Sequence, residues 1–233
     1  MQNIDIGANV ELNRKLEWVL NLDDAIIGAS RDAKDGARMT IAARKLTFEE
    51  YLSYDDGTDT RYELVDGELI AMSLGTGRHG KIIKFVDDTL SVAIQQSGLD
   101  WTAQRLTVGV QSPRGYRWDT CRIPDVTVLT LEQWSDMDDR EAVILAHQAP
   151  PKLVVEVVSP STQTEDYRAK WVEYSALDIA EYWIIDPIQN TVTICVLDQG
   201  RYQDTIYQGT EHIVSSTFPT LDLTADQILK ASV

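Results

Sequence analysis

Cysteine is scarce in this chain: Cys121 and Cys195 are the only two in 233 residues, and no CxxC spacing occurs. That suggests no disulfide framework, and with only three histidines no structural zinc site either. Long apolar runs are missing as well. None approaches the ~20 residues that cross a bilayer, so no membrane segment is expected. The start, Met1-Gln-Asn-Ile-Asp, has neither the basic residues nor the apolar stretch of a secretory signal, so the cytosol is the expected compartment. Positive charge is the third shortage. Lys and Arg number 21 against 37 Asp and Glu, a net charge of −16. Phosphate contacts need Lys and Arg, so promiscuous nucleic-acid binding is disfavoured. One stretch reverses the sign. Between Trp101 and Ile123 lie Arg105, Arg114, Arg117 and Arg122 against Asp119 alone, with Tyr116 and Trp118 among them. Such a strip is either a seat for a phosphate backbone or an ordinary solvated hairpin.

What is present suffices for one core, and a single mixed α/β domain is the default at this length and 43% hydrophobic content. Residues 1–43 read as an extension. Leu12, Leu16, Val19 and Leu20 have helical spacing, and a linker-like stretch rich in Asp, Gly, Ala and Ser follows. The domain proper spans 44–233. Thr47 and Glu50 are spaced as a capping box, and Asp66-Gly67 is a hairpin signal. Alternation along Arg61 to Val65 puts Glu63 on the face of Val65, and Glu63 is expected to point inward. A long helix is expected from Arg78 to Ser97, closed by Gly98, with His79 in its first turn as a local hydrogen-bonding residue. Trp101 to Val110 and Tyr116 to Leu129 supply middle strands, and Thr224 caps a last short helix.

All of this is arranged around Pro151-Pro-Lys-Leu-Val-Val-Glu-Val-Val-Ser-Pro160. Its β-branched run reads as a central strand covered on both faces. Glu156 sits in the middle of it, where an ionised carboxylate costs several kcal/mol unless it is paired, hydrogen-bonded or metal-bound. Asp125 repeats the anomaly at the start of a second β-rich run, Arg122 to Leu129, just after Pro124. Two carboxylates about 5 Å apart on neighbouring strands repel by roughly 3 kcal/mol at an effective dielectric near 20. A divalent cation with oxygen ligands is the simplest remedy. Pairing with an arginine, or placement at a wet strand end, is the bland alternative.

Four segments in order, YELVDGE, IPDV, VVEVVSPST with a lysine-bearing helix after it, and EYWIIDP, resemble the Uma2 family of restriction-endonuclease-like proteins within the PD-(D/E)XK nuclease superfamily. The resemblance runs from about Leu46 to the C-terminus and implies a mixed central β-sheet flanked by helices. It implies that Pro124-Asp125 is the "PD" and Glu156 the "(D/E)". Asp125, Glu156 and the Val157 carbonyl would then be ligands of Mg²⁺ or Mn²⁺, with Glu63 as a further catalytic acid. The sequence departs from the superfamily pattern at Val158, where the motif's lysine belongs. In Uma2-like proteins a lysine of the next helix is thought to replace it, and Lys170 matches that position. The heights agree, at ~9 Å along the helix against ~7–10 Å along the strand.

The resemblance implies a metal-dependent endonuclease with DNA as substrate, which as a homodimer could cut both strands. The rival from another class is an inactive nuclease-fold module for nucleic-acid or protein interaction, which the Val158 departure and acidic surface favour. A two-carboxylate glycosidase fits the six tryptophans but not Lys170 or the size.

Overall fold

The structure, a computed structural model, describes residues 44–160 and 162–232. The helix and linker expected within residues 1–43 lie outside them. Among the described residues eleven strands form two sheets. The larger runs β11 (Arg201–Tyr207), β10 (Thr191–Asp198), β9 (Glu181–Asp186), β8 (Leu153–Val157), β6 (Val126–Thr130), β3 (Trp101–Arg105). Only its β8–β9 pair is parallel. β8 is interior, and all five of its residues are buried. Leu153, Val155 and Val157 pack with Ile82, Val86 and Leu90 of the long helix Gly77–Ser97. Val154 and Val158 pack on the opposite face with Tyr174 and Tyr182. Each side chain so buried contributes about 1.5–3 kcal/mol. The result is an α/β fold with a mixed central sheet between helices.

The smaller sheet runs β2 (Glu68–Ala71), β1 (Tyr62–Val65), β5 (Cys121–Arg122), β4 (Gly109–Gln111), β7 (Val143–Ile144). Asp66 and Gly67 make the hairpin turn with φ of 50° and 83°, the positive pair that a two-residue turn favours. A Cβ on Gly67 would also stand 2.9 Å from the Leu46 carbonyl oxygen.

The two long middle strands read from the sequence are in fact four short ones shared between the sheets. Leu106 takes a positive φ of 53°, which ends β3. Pro124 has no N–H to donate, so the run from β5 into β6 breaks there. The chain therefore crosses from the small sheet to the large one at Ile123-Pro124-Asp125, and that crossing sets Asp125 at the mouth of β6.

The remaining helices start where side-chain caps allow. Thr47 and Glu50 complete a capping box for Phe48–Leu52, and Thr224 with Gln227 does so for Ala225–Lys230. Thr76 caps the long helix by accepting the His79 amide, and Gly98 closes it at φ 62°. After β8 a π-helical turn, Glu165–Ala169, leads into the helix Lys170–Ala176. No described helix is long and apolar enough to cross a membrane.

Candidate active site

In the β6–β8 ladder Val126 faces Val155, so the next antiparallel step sets Asp125 beside Glu156. Asp125 is 7% exposed and Glu156 4%. The Asp125 Oδ2 accepts the Val157 amide at 2.6 Å, which ties the crossing segment to the strand. Glu156 has a different set of partners. Its Oε2 lies 2.9 Å from Lys170 Nζ, and its Oε1 accepts the Tyr174 hydroxyl at 2.8 Å. Asp166 Oδ1 contacts the same ammonium at 3.0 Å. Asp166, Lys170 and Tyr174 are four residues apart, so one helical stripe lies over one strand glutamate. An i, i+4 pair such as Asp166–Lys170 is most often a surface salt bridge. This one is buried instead, because β8 and β9 lie beneath that stripe.

Glu63 joins the site from β1. Its Oε1 accepts the Ile123 amide at 2.9 Å and its Oε2 lies 3.3 Å from Arg122 Nη1. Arg122 is itself buried, and its guanidinium grips Glu173 through two bonds of 2.7 and 2.9 Å. A third bond reaches Glu165 at 3.0 Å. The arginines of the basic strip differ in what they meet. Arg122 turns inward, Arg117 pairs with Asp119 at 2.7 Å, and Arg114 stands 3.7 Å from both Glu165 and Glu173. Tyr116 and Trp118 stay exposed.

His79 is the residue that sequence reasoning placed too locally. Its Nε2 stands 2.9 Å from the Val157 carbonyl oxygen and 3.5 Å from Asp125 Oδ2. Gly75 makes room for the ring, since a Cβ there would come within 2.6 Å of His79 Nδ1. Tyr174 is the partner of Glu156 that sequence reasoning missed. The i, i+4, i+8 spacing with Lys170 was the available signal.

The electrostatics follow from this crowding. Glu63, Asp125, Glu156, Glu165, Asp166 and Glu173 face Arg114, Arg122 and Lys170 as full cations, six formal anions against three cations among the described residues. Burial pushes the Glu156 carboxyl well above the usual carboxylate range. Lys170 pulls it back, while Asp166, Asp125 and Glu63 push it further up. Burial works against the Lys170 ammonium, but Glu156, Glu63 and Asp166 outweigh it and raise its pKa. The hydrogen bond to Asp125 raises His79 above 6.5. A cluster with too many anions takes up a proton or a cation.

Among the described residues, no three Asp, Glu, His or Cys side chains are arranged as a metal cage. The donors at hand are two carboxylates and the Val157 carbonyl, all hard oxygens. They suit Mg²⁺ or Mn²⁺, since Mg²⁺ commonly uses one or two carboxylates and completes its shell with water and substrate phosphate.

The sheets and their flanking helices make this an α/β protein of restriction-endonuclease-like fold. The chain belongs to the Uma2 family, whose model, described as "Putative restriction endonuclease", matches residues 48–226. A solved structure from Anabaena variabilis, described as a "putative nuclease belonging to DUF820", superposes with a TM-score of 0.64 at 17% identity. It covers 80% of this chain and 98% of its own, and shows the shared fold. The "Uncharacterized protein slr1290" of Synechocystis sp. is 28% identical over 131 residues, 56% of this chain. The match spans 63% of that relative's length.

Proposed function

We propose that the chain is a metal-dependent endonuclease that hydrolyses phosphodiester bonds in DNA. The observation that carries this reading is Lys170 Nζ at 2.9 Å from Glu156 Oε2, on the strand whose ladder neighbour is Asp125. The cation missing at Val158 is supplied from the following helix. Asp125, Glu156 and the Val157 carbonyl would hold the metal. Bound there, Mg²⁺ or Mn²⁺ would supply Lewis acidity toward a phosphoryl oxygen and a water. Lys170 orients that water or stabilises the phosphoryl charge. Glu63 acts on the same centre by fastening Ile123, and through it the segment that presents Asp125.

The test is cleavage of plasmid and linear duplex DNA by pure protein with Mg²⁺ or Mn²⁺, beside Glu156→Ala and an RNA substrate. Cleavage by the wild type and loss in the variant support the reading, and an inert wild type removes it. A non-catalytic binding module is the second reading. It draws on the near-complete burial of Glu156 and Lys170, with both carboxylate oxygens of Glu156 already engaged. DNA retention without cleavage would select it. A homodimer that sets two such sites on opposite strands belongs to the same proposal, and light scattering at micromolar concentration tests it.

A further inference from the structure

Lys170 is held by two carboxylates, and one of them is costly to the fold. Glu156 reaches it from β8 at 2.9 Å and Asp166 from the preceding turn at 3.0 Å. Asp166 is 1% exposed, and apart from that ion contact neither of its carboxylate oxygens has a hydrogen-bond partner among the described residues. A buried carboxylate oxygen without a donor is destabilising, and a second anion beside Glu156 adds repulsion. Selection for stability alone would favour an amide or an apolar side chain at that position.

The backbone is also bent to deliver Asp166. Within the turn Glu165–Ala169 the Lys170 amide reaches back five residues to the Glu165 carbonyl. The Tyr182 hydroxyl supports the turn by donating to the Asp166 carbonyl at 3.0 Å. Wide turns of this kind are rare and recur at functional sites. One turn further on, Tyr174 fixes the remaining oxygen of Glu156. An ammonium has three N–H donors on a flexible four-carbon stem. Glu156 and Asp166 both lie within 3.0 Å of that ammonium, which leaves its position little freedom.

The geometry points to Asp166 as a positioning residue for the proposed cleavage reaction, holding Lys170 Nζ in place together with Glu156. This role rests on the nuclease reading. A misplacement of about 1 Å at a reacting centre costs on the order of 100-fold in rate. The effect of Asp166 should therefore appear in kcat rather than in binding.

The experiment compares wild type, Asp166→Asn and Tyr174→Phe with duplex DNA and Mn²⁺. It reads kcat, KM, Mn²⁺ affinity by calorimetry, and the melting temperature in chelator. For Asp166→Asn the expected result is a kcat lower by about 10- to 100-fold, with KM and Mn²⁺ affinity within about threefold. Its melting temperature should equal or exceed that of the wild type. Tyr174→Phe should also lose kcat, because the Glu156 carboxylate that meets Lys170 is no longer fixed by the hydroxyl. Two results overturn the role: wild-type kcat in a folded Asp166→Asn, or a lower melting temperature with activity lost only in proportion to unfolded protein. A wild type that binds Mn²⁺ but cuts no DNA is a separate outcome. It removes the nuclease reading and this role with it, since there is then no kcat for the variant to lose.

Discussion

The Glu63 carboxylate accepts the Ile123 amide at 2.9 Å, two residues before Asp125. A strand of the small sheet thereby holds the segment that enters the large one. Glu63→Gln keeps an acceptor for that amide but loses the charge facing Arg122, and should cost about 1–2 kcal/mol. Glu63→Ala leaves the amide and part of the guanidinium without partners and should cost about 2–4 kcal/mol. Urea denaturation of both variants checks the ranking, and an Ala variant as stable as the wild type would remove the clamp.

Lys170 lies between two buried carboxylates, so Lys170→Met should destabilise by about 3–5 kcal/mol at neutral pH. A surface pair would cost only about 0.2–0.5 kcal/mol. The loss should shrink at low pH. The Glu156 pKa is already raised by burial, so without the ammonium that carboxyl protonates readily in the fold. Denaturation at pH 7 and at pH 5 separates the two accounts. Under the nuclease reading, turnover also falls by orders of magnitude.

His79 supplies a pH dependence of stability. The Asp125 hydrogen bond raises its folded pKa above the ordinary 6.5. A group raised on folding stabilises fully below its unfolded pKa and loses that contribution as pH rises through the folded value. In chelator, the wild type should therefore lose stability as pH climbs from about 6 through the raised value. His79→Ala should flatten that part of the profile. Parallel profiles would show that the imidazole is not coupled to Asp125 in solution.

Asp125→Asn separates metal binding from folding. An asparagine carbonyl can still accept the Val157 amide that Asp125 Oδ2 holds at 2.6 Å, and it removes one anion from a crowded cluster. Stability in chelator should stay within about 1 kcal/mol of the wild type. Mn²⁺ affinity by calorimetry should drop sharply. A variant that binds Mn²⁺ like the wild type moves the metal away from Asp125.

Short-range chemistry made much of the fold legible. The β-branched run Leu153 to Val158, the Asp66-Gly67 turn, the capping boxes at Thr47 and Thr224 and the Gly98 stop are signals that act within a few residues. The same run exposed Glu156, because a carboxylate stands out against apolar neighbours. The long middle strands were misjudged because propensity does not register Leu106 at positive φ or the change of sheet at Pro124. Charge partnerships were harder still. Arg122 lies 51 residues from Glu173, and His79 lies 78 from Val157. No local pattern foretells whether an arginine faces solvent or a buried acid, since that depends on which surfaces meet once the sheets close. From the sequence alone came the strands, the caps and the acidic pair Asp125 and Glu156. Only the tertiary structure turned Arg122 inward, brought His79 to the Val157 carbonyl and set Asp166, Lys170 and Tyr174 over Glu156. Burial and long-range electrostatics decide those contacts, and neither exists until the chain has folded.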